Sequence, residues 1–406
     1  MRRLLTALFV GTAIAALTMA TGGAQGQVPA PAKSKGIQPN EHPVLAIGSP
    51  IPDFNLPGVD GRMHKPGEYA SAKVLAVVFE CNHCPTSQLY ESRLEKLVSD
   101  YKSKGLAIIS INPNNPKSVR YDEMGYTDMN DSLAEMKTRM QFRGFAWPYL
   151  YDGETQEIAN KFGVVATPHI YLFDKERKLQ YQGRVDDNQR EDLVKVQDAR
   201  NALDAMFAAT PVPDSDTKAF GCTTKWLSKS SGVDQEMANF KAAPVTIAAA
   251  TADEVKTLRA NATDKPTLLY VYPAKCATCA ADFPEIMKTY WMYHKERGFD
   301  LTTIAEGPAA DEPALLDMLK AQMAWNPNKL YTGGHADLQT ALGVNWKAGT
   351  ALTLVIAPGG KIAYQKDGKT DILQARRHVL VNMPDKQSYV GSKAYWTAAV
   401  AAAAKR

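Results

Sequence analysis

Two pairs of cysteines are spaced so that they can do chemistry. Cys81-Asn82-His83-Cys84 and Cys276-Ala277-Thr278-Cys279 each set two thiols two residues apart. Each pair follows an apolar run and precedes a helical pattern, so each sits where a strand hands over to a helix N-terminus. The unpaired N–H groups there and the positive end of the helix dipole stabilise a thiolate. In this reading Cys81 and Cys276 lie at the mouth and attack a substrate sulfur. Cys84 and Cys279, one turn inward, attack the mixed disulfide and release the product. Pro85 suits the first turn of a helix, where a missing N–H costs little.

His83 lies inside the first pair. A neighbouring imidazole lowers a cysteine pKa and favours the dithiol, which makes the disulfide a stronger oxidant. Glu80 opposes this if it approaches the sulfur. Ala277 and Thr278 offer the second pair no such help. The first pair is therefore expected to be the more oxidising, with electrons passing from Cys276/Cys279 to Cys81/Cys84. Zinc sites of this kind usually place a second pair about 15–20 residues on. Neither half has such a partner pair, so no metal and no cofactor are expected. A merely structural disulfide across so short a loop would constrain few unfolded states.

Elements that can position these thiols recur along the chain. Val74–Phe79 and Leu106–Ile111 are unbroken apolar runs, as expected of strands covered on both faces. Between them, Ser87–Lys104 carries Leu89, Leu94, Leu97, Val98 and Tyr101 at helical spacing. A short helix at Glu157–Phe162 and strands at His169–Phe173 and Leu179–Gln182 follow. The pattern restarts with a strand at Thr267–Tyr272, a helix at Pro284–His294, a short helix at Leu338–Leu342, and strands at Leu352–Ile356 and Ile362–Tyr364. The Tyr290–His294 aromatic cluster reads as core. Strands alternating with helices imply an α/β fold, and the repeated order implies that the fold is duplicated.

Length and composition agree. A chain of 406 residues that is 45% hydrophobic holds enough apolar material for more than one core, which excludes disorder throughout. Its 47 basic and 43 acidic side chains are too evenly balanced to point to nucleic acid. Five cysteines are too few to staple a protein of this size. Arg2 and Arg3, the uncharged run Leu4–Ala20 and the small residues ending at Ala24 read as a signal peptide over residues 1–24. The expectation is an exported protein, periplasmic or extracellular, that meets a membrane only if this segment is uncleaved. Residues 25–43 read as a flexible leader, 44–209 as the first domain and 210–244 as a linker containing Cys222. Residues 245–383 read as the second domain and 384–406 as a peripheral tail helix.

Residues 46–226 resemble the peroxiredoxin-like branch of the thioredoxin superfamily, which includes the redoxin and alkyl hydroperoxide reductase–thiol-specific antioxidant proteins. The resemblance rests on Gly48–Leu56 with Asp60-Gly61, Phe79–Pro85, Ile111-Asn112, Trp147–Asp152 and Thr155–Glu157. It continues through Thr167-Pro168, Gly183–Asp187 and Gly221-Cys222 with Lys225-Trp226. Residues 245–383 resemble thioredoxin domains in general outline. The resemblance implies tandem thioredoxin-like folds, each a central mixed β-sheet flanked by helices, and thiol redox activity. It also implies a cis Thr167-Pro168 bond facing the dithiol, beside which an extended substrate pairs. The second half has Thr350-Ala351 at that place. Cys222, in the resembled tail motif, is a candidate resolving thiol. Where relatives often carry a cysteine before the Thr-Pro, this chain has Ala166. Cys81 stands where peroxiredoxins place a threonine that orients peroxide.

The function expected is thiol–disulfide exchange with protein or small-molecule thiols and disulfides, coupled to an external reductant or oxidant protein. The alternatives are a peroxidase acting through Cys84 and a non-catalytic module that binds metal or a partner.

Overall fold

The computed structural model describes residues 43–295 and 297–405, so the segment read as a signal peptide lies outside the described residues. Val74–Phe79 is the middle strand of a five-stranded sheet ordered Tyr149–Tyr151, Leu106–Asn112, Val74–Phe79, His169–Phe173, Leu179–Gly183. It runs parallel to Leu106–Asn112 and antiparallel to His169–Phe173. Successive strand side chains point to opposite faces. Val74, Ala76 and Val78 therefore pack with Tyr90, Leu94 and Leu97 of the following helix. Leu75, Val77 and Phe79 pack with Ile158 and Phe162 on the other face. Because both faces are covered, the sequence there is uninterruptedly apolar.

In the second half, Thr267–Pro273 occupies the same place. It is parallel to Asp300–Glu306 and antiparallel to Leu352–Ile356. Its sheet has six strands, with Ala248–Ala250, Asn328–Tyr331 and Ile362–Asp367 completing it. The alternation recurs. Leu268, Tyr270 and Tyr272 join the core that holds Phe283 and Trp291, while Leu269 and Val271 face Leu338 and Leu342. The Tyr290–His294 cluster is largely core, with Met292 and Tyr293 fully buried.

The stretch between the halves is structured by both. Gln182 donates to the Ser215 carbonyl and accepts from the Thr217 N–H, each at 3.0 Å, which ties the stretch to the edge of the first sheet. Cys222–Thr223 pairs antiparallel with Ala166–Thr167. A helix the sequence reading leaves out, Ser231–Ala242, places Phe240 in a stack on Trp291 with centroids 5.1 Å apart.

The tail departs from its expected peripheral position. Its helix, Ser392–Ala403, buries Trp396 completely, and the indole N–H donates to the Tyr126 carbonyl at 2.9 Å. The alanines that make it look featureless let the helix lie close to its neighbours, and one large aromatic anchors it. The same stretch of the first half also carries polar contacts to the second. Asp128 accepts from Arg377 Nε at 2.7 Å, the Asp128 carbonyl accepts from Arg376 at 3.2 Å, and Tyr293 donates to the Thr127 carbonyl at 2.7 Å. Among the described residues, no helix is long and apolar enough to cross a membrane.

Candidate active site

The helix after the first strand begins at Pro85, with Cys84 as its N-cap: the Cys84 sulfur accepts from the Ser87 N–H at 3.4 Å. In the second half the cap is instead the first cysteine, Cys276, which accepts from the Cys279 N–H at 3.2 Å. The two motifs thus meet their helices one turn out of step. In each half the helix terminus favours charge on the capping sulfur, which is Cys84 in one and Cys276 in the other.

Around the first pair, Thr167 touches all three nearby cysteines. Its hydroxyl lies 3.2 Å from Cys81 Sγ, its carbonyl oxygen lies 3.2 Å from Cys84 Sγ, and its hydroxyl donates to the Cys222 carbonyl at 3.5 Å. The Thr167-Pro168 bond is cis. Strand pairing sets Thr167 directly opposite Cys222. Gly221 allows this approach: at φ +148°, a Cβ there would strike the Thr167 carbonyl. The Cys84 sulfur is close enough to those of Cys222 and Cys81 for each to influence its ionisation.

His83 is fully enclosed and held by a residue far away in sequence. Its Nδ1 donates to Asp131 Oδ2 at 2.6 Å, and the same nitrogen lies 3.5 Å from Cys81 Sγ. Asp131 Oδ1 accepts from the backbone N–H groups of Asn82 and His83 at 2.8 and 3.2 Å, and Asn114 Nδ2 donates to Oδ2 at 2.9 Å. Burial disfavours charge on both members. Even so, the carboxylate raises His83 above its ordinary pKa, and His83 together with the donors holds Asp131 below its own. Each member thus favours the charged form of the other, and the buried His83 Nε2 has no hydrogen-bond partner among the described residues.

The two thiols diverge. Burial, the hydrogen bond to Cys84 and the negative Asp131 push Cys81 well above the usual thiol range. Burial also opposes ionisation of Cys84, but hydrogen bonds from Cys222 and Cys81, the His83 charge and the Ser87 N–H bring it well below that range. As a thiol, Cys84 donates to the Thr167 carbonyl; as a thiolate it gives up that bond and accepts from its neighbours instead. The sequence reading assigns attack to Cys81, whereas the electrostatics favour the thiolate at Cys84.

Accessibility also differs from expectation. Cys81 is 4% exposed and Cys84 0%, so neither is at an open mouth. The reason is the return of Gly221–Thr224 to pair beside Thr167, a contact that spacing within the motif does not reveal. Glu80, expected to oppose the imidazole, is itself buried, and burial pushes it up to about 7. Cys81, His83 and Asp131 bring ligand-type atoms within 4.8 Å of one another, a cluster able to hold a metal ion. Asp131, missed by the sequence reading, lies in a loop without periodicity, and no signal in the chain could single it out.

In the second half Cys276 and Cys279 form a disulfide, while Cys81, Cys84 and Cys222 are free thiols. Cys276 is half-buried and Cys279 buried, in the mouth-and-interior order expected. Among the described residues no histidine bonds to either sulfur. Ala351, where the first half has Pro168, is buried, and the one cis bond among the described residues is Thr167-Pro168.

Comparison with known proteins places the chain. A thiol-disulfide oxidoreductase ResA of Geobacillus thermodenitrificans is 27% identical over 141 residues, 34% of this chain and 70% of that protein. A solved structure of a hypothetical protein from Sinorhizobium meliloti 1021 is 29% identical, covering 46% of this chain and 98% of the other, with a TM-score of 0.41. One of an uncharacterized conserved protein from Geobacillus kaustophilus is 34% identical, covering 45% and 92%, with a TM-score of 0.40. The Redoxin family model matches twice, over residues 46–203 and 233–376, each match holding one of the cysteine pairs. By that double match over most of its length, the chain belongs to the Redoxin family.

Proposed function

We propose that this protein is a thiol–disulfide oxidoreductase that exchanges disulfides through the Cys81/Cys84 dithiol. The observation that carries this is the convergence of Cys81, Cys84 and Cys222 on Thr167, beside a His83 held by Asp131. A relative named for the same activity supports it. Cys84, the sulfur whose pKa is lowered, is the nucleophile within the buried pair. Cys81 forms the internal disulfide with it, and His83 supplies a proton to the departing thiolate. Pro168 and Thr167 shape the edge at which a substrate sulfur arrives. Cys276/Cys279 is a second redox pair that donates electrons to the first. The substrates are thiols and disulfides on proteins or small molecules, with an external redox protein as partner. An exported location is supported by the charged start and apolar run of residues 1–24.

Equilibration of the full chain in mixtures of reduced and oxidised glutathione tests this reading. A Cys81–Cys84 disulfide should form with a potential in the range of exchange proteins, roughly −270 to −120 mV. Failure to form it anywhere in that range refutes the assignment. The lowering of the Cys84 pKa also favours a peroxidase reading. Consumption of hydrogen peroxide that is lost in Cys84→Ser but retained in Cys81→Ser would select it.

A further inference from the structure

The first dithiol has a problem of access. Cys81 and Cys84 are both buried, and a cavity of about 380 Å³ beside them includes neither among its lining residues. The thiol on the cavity wall is Cys222, with His83, Pro85, Thr223, Lys225 and Tyr389 around it. That volume falls within the ~300–1,000 Å³ of ordinary ligand pockets. The His83 side chain, buried and with an unpartnered Nε2, lines the same space. Behind the wall, the Cys222 and Cys84 thiols influence one another's ionisation, and the Cys222 backbone pairs with Thr167, whose carbonyl contacts Cys84 Sγ at 3.2 Å. Of the charged groups facing the cavity, Lys225 is paired with Glu123 at 2.7 Å and Arg120 with Asp122 at 3.0 Å, while the exposed Lys386 adds a further cation. The wall therefore offers a sulfur and a proton donor together with one surplus positive charge.

We propose that Cys222 is a third redox-active thiol, the entry point through which a disulfide-bearing substrate reaches the buried pair by way of a transient Cys84–Cys222 disulfide. This rests on the reading that Cys81/Cys84 is redox-active and adds the route. Cys222 passes its proton to the Cys84 thiolate and attacks one sulfur of the substrate disulfide. A Cys222–substrate disulfide forms, and the other substrate sulfur leaves as a thiolate that takes a proton from His83 Nε2. Cys84 then returns its proton to His83 and attacks Cys222, forming Cys84–Cys222 and releasing the second substrate thiolate, which takes up that proton. Finally Cys81 attacks Cys84; the Cys81–Cys84 disulfide forms, and the Cys81 proton goes to the departing Cys222 thiolate. One substrate disulfide is reduced to two thiols, and one protein dithiol is oxidised. Every step is thiol exchange, and no other oxidant enters.

The test uses the full chain, reduced and then treated with oxidised glutathione, with disulfides mapped by mass spectrometry of unreduced peptides. Wild-type protein should end with Cys81–Cys84 bonded, which tests the underlying reading separately. Cys81→Ala and Cys81→Ser should stop at Cys84–Cys222, and Cys84→Ala should carry glutathione on Cys222. Cys222→Ser should form the Cys81–Cys84 disulfide more slowly than wild type. If wild type closes Cys81–Cys84 while both Cys81 variants leave Cys222 free to alkylation, the entry route is wrong and the dithiol assignment survives. An unchanged rate in Cys222→Ser would overturn the route equally.

Discussion

His83 Nδ1 and Asp131 Oδ2 meet at 2.6 Å with both side chains enclosed, one from the cysteine motif and the other from a loop 48 residues away. A buried ion pair of this kind is costly to break on one side, because the survivor keeps its charge in a poor solvent. The carboxylate fixes the orientation of the imidazole, so Asp131 is a positioning residue for the proposed proton donor.

Asp131→Asn keeps the shape but removes the charge. A hydrogen bond to a charged group contributes ~1.5–3 kcal/mol, so the His83 titration should fall by about one to two pH units. Histidine NMR across pH 4 to 9 reads this directly, and the pH profile of glutathione exchange should move with it. An unmoved His83 titration would refute the orienting role.

Glu80 gives a stability signature. Its folded pKa, about 7, stands above the ordinary 4.5, so its contribution is fully present below 4.5 and lost as pH rises through 7. Urea unfolding of wild type should show stability falling across that window by a few kcal/mol, each tenfold change in proton affinity being worth roughly 1.4 kcal/mol. Glu80→Gln, which stays neutral, should lack this loss and be the more stable protein at pH 8.

The two dithiols should differ in potential. The first has His83, the Cys84 cap and a neighbouring thiol to stabilise its reduced form; the second has its cap and the Thr278 hydroxyl, 3.4 Å from Cys276. Measured in full-length chains with the other pair changed to serine, Cys81/Cys84 should be the more oxidising by tens of millivolts, ~30 mV corresponding to ~1.4 kcal/mol. The opposite order would reverse the proposed flow of electrons.

The tail helix should behave as core. Trp396→Ala removes a fully buried indole and strands the Tyr126 carbonyl, so a loss of about 3–5 kcal/mol in urea unfolding is expected. A change below ~1 kcal/mol would mean that the helix is only loosely attached.

Much of this architecture is legible in the chain because the signals are local. Apolar runs such as Val74–Phe79 mark doubly covered strands, and a C-x-x-C between such a run and a helical pattern marks a junction. Periodicity also places the start of the helix at Pro85 to within two residues. What escapes is set by distant chain segments. Asp131 bonds to His83 across a loop with no periodicity, and Cys222 reaches Cys84 through a two-residue strand pairing. Which sulfur caps the helix depends on a shift of one turn between Cys81 and Cys84, and the motif itself is blind to that. Burial of the dithiol follows from the same pairing, so spacing alone suggests an openness that the fold removes.

The loop from Tyr126 to Asp131 has two allegiances. Tyr126, Thr127 and Asp128 grip the tail helix and the second half, while Asp131, three residues on, steadies the imidazole beside the thiols. The contacts to the far half therefore lie within five residues of the carboxylate that bonds to His83. The proposed dithiol site of one half and the packing of the other draw on a single short stretch of backbone.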